Sequence, residues 1–437
     1  MKPLMLVALM ALAASAGADG PQPGAGAEDE LYFSCDVLES AKPSPLQGSL
    51  WVWSPKAGTL RRFAPDYRVY GFCFSPDGNR LAFLGARAPD KEPNLDLYVL
   101  DLRTDQVHRH TTGFWGSPGC VPAWRPGMEQ VAAARIYNRS WEALASHLQY
   151  GGDTLWLLDL GTGKRVPLIG PGTDIPVSDT PQFSADGSTL ACTRHGLPAA
   201  VLEVSDPTRW LRLDRPERMN PKHLLDWIWQ GRSQVLLIGA TAARRPTEDR
   251  SLPPGAWPPG PGGVWRWDTA HPRVYGNPRP HDWDPDPGEG DRTAAEPLFG
   301  QGESVYVLAL SPDETRLAYL TDSGLWVRDL KGATSVQLVA RSAIAELLKS
   351  PGGQDEDLGL EYGLPAWLSW SPGGTYLALS GWRSGTRGSE FRVIEMATAR
   401  TIALPPLGPG FAPDNTSVGC AAWRPMPRSE SGAVKAP

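Results

Sequence analysis

The sequence predicts an all-β fold, a seven-bladed β-propeller with four-stranded antiparallel blades, and three observations carry that reading. The first is a repeated unit: an apolar or aromatic residue, a Ser-Pro-Asp-Gly-like turn, then a Leu-Ala-aromatic run. It stands as Phe74-Ser75-Pro76-Asp77-Gly78 before Leu81-Ala82-Phe83, as Leu310-Ser311-Pro312-Asp313 before Leu317-Ala318-Tyr319, and as Trp370-Ser371-Pro372-Gly373-Gly374 before Leu377-Ala378-Leu379. Looser copies are Trp124-Arg125-Pro126-Gly127 before Val131, and Phe183-Ser184-Ala185-Asp186-Gly187 before Leu190-Ala191-Cys192. The second is the run behind each unit, β-rich and ending in an acidic residue, followed by a short turn and another apolar run. Examples are Leu97-Tyr98-Val99-Leu100-Asp101, Leu155-Trp156-Leu157-Leu158-Asp159 and Leu325-Trp326-Val327-Arg328-Asp329. Four strands per unit, A to D, make a propeller blade.

The third observation is how the ends match. Ala421-Ala422-Trp423-Arg424-Pro425 copies a strand A, as in Pro122-Ala123-Trp124-Arg125-Pro126, yet has only a polar tail after it. Leu31-Tyr32-Phe33-Ser34-Cys35 resembles a strand B, and Leu50-Trp51-Val52-Trp53 and Leu60-Arg61-Arg62-Phe63 supply C and D. N-terminal strands B, C and D and the C-terminal strand A are therefore expected to close the ring.

Each element has its reason. Pro presets φ in the turn, Asp tolerates the next position, and Gly takes the positive φ that ends it. The alternating runs place apolar side chains between neighbouring blades, which assigns Trp124, Trp156, Trp326, Trp370 and Trp423 to packing. The third unit is degenerate, at Val201-Leu202-Glu203-Val204 and Leu211-Arg212-Leu213. The fourth lacks the Pro-Asp-Gly turn and keeps Trp229, Leu236-Leu237-Ile238, Val264-Trp265-Arg266-Trp267-Asp268 and Val274-Tyr275. Asp101, Asp159, Asp268 and Asp329 recur at one place in the repeat, so they are read as carboxylates bonding local backbone, not as acid/base pairs.

Residues 1–18 read as a signal peptide: Lys2, an apolar core over 4–13, and Ala16-Gly17-Ala18 as the cleavage site. Residues 19–30 read as a polar linker, 31–425 as the propeller and 426–437 as a disordered tail. The expected localisation is export, periplasmic or extracellular, with no membrane span. A net charge of −6 argues against a nucleic-acid partner, which needs clustered Lys and Arg.

Cys35, Cys73, Cys120, Cys192 and Cys420 contain no Cys-x-x-Cys pair, so zinc and thioredoxin-type sites have no support. Aligning the last unit on the first places Cys420 opposite Cys35 to within one residue. A Cys35–Cys420 disulfide closing the ring is expected, unless a one-residue slip turns the two to opposite faces.

These repeats resemble those of the TolB-type, WD-repeat-like propellers, over residues 31–425. The resemblance implies a propeller and little about function; the α/β domain that precedes the propeller of TolB itself has no room here. Related exported propellers include prolyl oligopeptidases, whose Gly-x-Ser-x-Gly elbow is missing from this chain. They also include oligogalacturonate lyases, whose metal site draws on clustered histidines. The seven histidines here (His108, His110, His147, His195, His223, His271 and His281) show no ligand spacing; His108 and His110, on a strand D, read as solvated.

Topology places the D-to-A and B-to-C connections on one face and the short A-to-B and C-to-D turns on the other. The first set carries the inserts: 141–148, 242–262, and the connectors 276–303 and 341–365, the last with a helix expected over 342–349. Elaborated loops on a rigid scaffold are where binding chemistry is found. His281, Trp257 and Trp283 are the ligand-binding candidates, the two tryptophans for stacking on a sugar or anchoring a peptide. The acidic run around Asp282, Asp284 and Asp286 resembles a calcium loop but fails in detail, with Gly288 one place late and Thr293 at the bidentate position. No metal, cofactor or catalytic residue is assigned. The leading reading is an exported, non-catalytic propeller binding a protein, peptide or glycan through the insert-bearing face. The alternative is a propeller enzyme, a polysaccharide lyase or hydrolase, with its site at the channel mouth.

Overall fold

The computed structural model describes residues 29–37, 48–87, 95–114, 116, 121–135, 154–169, 181–192, 200–207, 210–212, 224–230, 235–240, 263–268, 296–300, 303–321, 323–340, 342–343, 367–382, 389–405, 407 and 416–426. These form strands in antiparallel four-stranded sheets, seven of them among the described residues, each ordered A-B-C-D. In the first sheet A is Tyr67–Phe74, B Arg80–Arg87, C Asp96–Asp101 and D Gln106–Arg109. The repeated up-and-down sheet is the propeller blade unit. Strand A of each sheet lies against strand A of the next, and the seventh lies against the first.

The seventh sheet joins the two ends of the chain. Its strand A is Thr416–Trp423, which pairs with Leu31–Val37, followed by Ser49–Ser54 and Thr59–Phe63. The described chain begins at Asp29, and Asp29 and Glu30, expected in the linker, are tied into the fold. Glu30 takes the Arg424 guanidinium at 3.0 Å, and an Asp29 carboxylate oxygen accepts the Gly373 N–H at 3.3 Å.

The turn motif is a hydrogen-bonded cage that recurs from sheet to sheet. The Ser75 hydroxyl donates to Asp77 and accepts the Arg80 N–H at 2.9 Å, while Asp77 accepts the Asn79 N–H at 3.1 Å. Ser184, Asp186 and Ser188 repeat it, as do Ser311, Asp313 and Thr315. Gly78 has φ +67°, and a Cβ there would lie 2.2 Å from the Pro425 carbonyl oxygen of the neighbouring sheet. That position demands glycine twice over, for its backbone and for the approach.

Tryptophans join sheets as well as filling them. The indole N–H of Trp229 reaches the Gln182 carbonyl of the preceding sheet at 3.0 Å. Trp370 reaches that of Ala309 at 3.0 Å, and Trp423 that of Ser369 at 3.1 Å. Each acceptor precedes the last residue of its own strand A, so the bond is a property of the repeat. Trp124, Trp370 and Trp423 are buried as expected; Trp156 and Trp326 are half-buried. Arginines brace the same joints: Arg80 lies over Trp124 and Arg316 over Trp370, while Arg125 and Arg424 donate to the Gly187 and Gly78 carbonyls of the following sheets.

Two expectations are corrected. Strand D of the fourth sheet is Glu296–Phe299, not Val274-Tyr275, which lies outside the described residues. The long connection therefore runs from strand C to strand D, over 269–295, and not from D to A.

Cys35 and Cys420 are separate thiols. Strand A carries a one-residue bulge, so Cys35 pairs with Val418 while Cys420 bonds, through its N–H, to the hydroxyl of Ser34 at 2.9 Å. Neighbouring residues on a strand point to opposite faces. Cys35 packs with Trp51, Trp53 and Trp423, and Cys420 with Tyr32 and Phe72 on the other side. Its thiol lies 3.7 Å from the Phe72 carbonyl, and burial pushes it up to about 11.

The bulge is itself part of the repeat. It recurs in strand A between Val69 and Gly71, between Leu224 and Asp226, and between Val305 and Val307. The extra residue is Tyr70, Leu225, Tyr306 or Gly419, from tyrosine to glycine, so no fixed residue type announces it.

Candidate functional site

The two ends of the sheets differ in how they are built. At the end bearing the A-to-B turns, backbone demand is met locally. Asp101 accepts the N–H groups of Arg103 and Thr104, Asp159 the N–H and hydroxyl of Thr162, and Asp329 the N–H groups of Lys331 and Gly332. These bonds hold all three carboxyls below the usual carboxylate range: chiefly the Arg103 N–H at Asp101, the Thr162 hydroxyl at Asp159 and the Gly332 N–H at Asp329. Their expected structural duty is what the geometry shows; the side chain of Asp268 lies outside the described residues. Asp101, Asp159 and Asp329 are committed to their turns and form no acid/base pair with one another.

The other end carries the B-to-C and D-to-A connections, and one repeat position there is used in three ways. In the second sheet Thr154 opens strand C and its hydroxyl accepts the Trp156 indole N–H at 2.9 Å. In the seventh, Ser49 does the same for Trp51 at 2.8 Å. The fifth sheet uses the neighbouring Ser323 for Trp326 at 3.0 Å.

In the first sheet the position is Asp96, fully buried, and strand C carries Tyr98 in place of Trp. Asp96 captures the D-to-A connector instead. It takes Nε of Arg109 at 3.1 Å and Nη2 in an ion pair, the Thr111 hydroxyl at 2.9 Å and the Phe114 N–H at 2.9 Å. The connector is pinned further by the Gly116 N–H on the Leu95 carbonyl at 2.8 Å, and Gly116 bridges to Arg135 of the second sheet. No sequence motif marks Asp96; its repeat position holds Thr154, Ser49 and Gly263 elsewhere and Glu390 in the sixth sheet, so residue type there does not single it out.

In the fourth sheet the position is Gly263 at φ +108°, where a Cβ would lie 2.5 Å from the Phe299 carbonyl oxygen. No hydroxyl is possible there, and the buried Trp265 indole N–H has no hydrogen-bond partner among the described residues.

His108, on the first strand D, and His110, just past its end, differ. His108 is exposed, while His110 is half-buried and held below the ordinary histidine range by burial and then by the neighbouring His108. No group of three or more His, Cys, Asp or Glu side chains among the described residues is placed to hold a metal ion. No helix of the described residues is long and apolar enough to cross a membrane.

Trp257, His281 and Trp283 all lie outside the described residues, as do 141–148 and, apart from 342–343, the helix expected over 342–349. The strand ends nevertheless fix where their segments join the fold. Trp257 belongs to the B-to-C connection 241–262. His281 and Trp283 belong to 269–295, which leaves the fourth sheet beside Asp268, the register partner of Val235, at the A-to-B turn end. The segments that carry Trp257 on the one hand and His281 and Trp283 on the other therefore join the fourth sheet at opposite ends.

No protein-family model matches the chain, and no curated protein does. Similar solved structures include the β-propeller domain of Myceliophteria thermophila Cps50 (Swd1), at 14% identity, 77% of this chain, 87% of that chain and TM-score 0.43. An oligogalacturonate lyase in complex with manganese is similar at 12% identity, 86% of this chain, 85% of that chain and TM-score 0.47. A prolyl endopeptidase is similar at 14% identity, 86% of this chain, 49% of that chain and TM-score 0.45. Propeller folds host unrelated functions, so these likenesses say nothing of substrate or partner.

Proposed function

We propose that the seven sheets are the blades of one closed propeller, and that the protein is an exported, non-catalytic binding module for a protein, peptide or glycan. The pairing of Leu31–Val37 with Thr416–Trp423 and the succession of strand A contacts support the closed ring. The leading apolar segment supports export. The TolB-type repeat resemblance fits an exported propeller of this kind.

One observation carries the binding reading: the connections are unequal at the two ends. The A-to-B turns are four or five residues long, and the C-to-D turns, apart from 269–295, four to six. The opposite end holds the B-to-C connections 136–153 and 241–262 and the D-to-A connection 341–366. Chain of that length beyond what a strand reversal needs is characteristic of binding loops. Trp257 sits in that set and is the aromatic anchor we assign to it. The 269–295 segment, with His281 and Trp283, is a second candidate element, joined to the fourth sheet at its other end.

The test is capture from envelope extract and from a glycan array by the mature chain, beside a chain in which 241–262 and 341–366 are replaced by short Gly/Ser turns. Retention lost in the shortened chain, with the melting temperature unchanged, is the expected result. Equal retention, or turnover of an oligosaccharide by the intact chain, would overturn the reading.

A further inference from the structure

The hairpin between strands A and B of the seventh sheet is split between the chain ends, and its bonds are rebuilt from separate pieces. In the contiguous hairpins the residue after strand A donates its backbone N–H to the carbonyl at the start of strand B. Ser75 does so to Arg80 at 2.8 Å, Ser184 to Thr189 at 3.0 Å, and Ser311 to Arg316 at 2.8 Å. Arg424 makes the same bond to Glu30 at 2.9 Å, across 394 residues of sequence.

Side chains replace the missing turn. The Glu30 carboxylate takes Nη1 of Arg424 at 3.0 Å and the Tyr32 hydroxyl at 3.3 Å, with the Arg61 guanidinium at 3.9 Å. Nε of Arg424 donates to the Gly78 carbonyl of the first sheet at 2.9 Å, and Asp29 accepts from Gly373 of the sixth. Asp29 and Glu30 thus bind the sixth and seventh sheets directly and the first through Arg424.

We propose that Asp29 and Glu30 are a clasp holding the C-terminal strand Thr416–Trp423 in place, and that releasing them opens this seam while the other sheets stay folded. The proposal rests on the closed-ring reading above. The physical reason is the cost of closure. Where both partner strands sit on one short turn, an opened pair re-forms at little entropic cost; here strand Thr416–Trp423 is tied to its partner by no turn, only to the sixth sheet through 404–415, and hangs free once released. Local opening concentrates where closure is least favoured, and no Cys35–Cys420 bond ties the two strands.

The experiment is hydrogen exchange on the full chain, wild type against Asp29→Asn/Glu30→Gln. The expected result is exchange faster by about tenfold or more over 29–37 and 416–426, as for loss of bonds to a charged group. The strands Arg80–Arg87 and Arg316–Thr321 should be unchanged. A rise shared by all sheets, or none, would overturn the clasp. A second variant, Val37→Cys/Thr416→Cys, joins register partners across the seam. If its disulfide fails to form under oxidising conditions, the closed ring itself falls and the clasp with it. If it forms while the clasp variant is silent, only the clasp falls.

Discussion

The two ends of the sheets follow opposite rules. At the turn end the same few residue types do the same thing in the first, third and fifth sheets: a serine hydroxyl bonds an aspartate, and a left-handed residue, Gly78, Gly187 or Glu314, completes the turn. At the insert end one position holds Thr154, Ser49, Asp96 or Gly263, and each does something different. Repetition marks where the scaffold is made, and divergence at a repeated position marks where it has been put to other use. The buried Asp96 network belongs to the second kind, because it holds a connector rather than a strand.

The comparison can be broken most forcefully at Asp96. Removing a buried acceptor strands the Phe114 N–H and the Thr111 hydroxyl, so Asp96→Ala should cost about 3 kcal/mol in denaturant unfolding. Thr154→Ala, at the same repeat position, removes two neutral bonds, from the Trp156 indole and to the Arg135 carbonyl, and should cost about 1–2 kcal/mol. Equal costs would erase the distinction between the two uses.

At the turn end, Gly78→Ala and Gly58→Ala compare two glycines at φ +67°. Gly58 faces open space, so its variant bears only the backbone cost, about 1 kcal/mol. The Gly78 variant must also push back the Pro425 carbonyl and should cost roughly twice that or more. Trp370→Phe deletes the indole bond to Ala309 and weakens the Arg316 contact, for about 1–2 kcal/mol by chemical denaturation.

The smallest effect is on pH. The Ser184 hydroxyl, then the Ser188 N–H, hold the Asp186 carboxyl below its usual range. A lowered folded-state pKa means the unfolded chain binds the proton first. The turn's contribution is therefore present above the ordinary Asp value of about 4 and lost as pH falls through the lowered one. Asp186→Asn should flatten stability against pH between about 5 and 3. An unchanged slope would show that the turn acids do not titrate with folding.

How much of this was legible beforehand divides along the same line. The Ser-Pro-Asp-Gly turns, the strand order, the structural Asp101, Asp159 and Asp329, and the pairing of the chain ends were readable because a repeat states them several times over. Strand D of the fourth sheet was not. Val274-Tyr275 has the stronger β-signal, whereas Glu296–Phe299 contains Pro297, which an outermost strand tolerates. Nor were the thiol positions readable, because the bulge that turns Cys35 and Cys420 apart inserts a residue of no fixed type. Asp96 left no trace because its partners Thr111 and Phe114 lie in an irregular connector that no motif marks.

The most direct test of the division is to alter each end separately and measure retention of captured envelope ligand. One variant shortens 241–262 and 341–366; the other carries Met128→Ala and Lys331→Ala, both exposed in turns. The account predicts that the first loses the ligand and the second keeps it at wild-type level. Loss in the turn variant with retention in the shortened chain would contradict it.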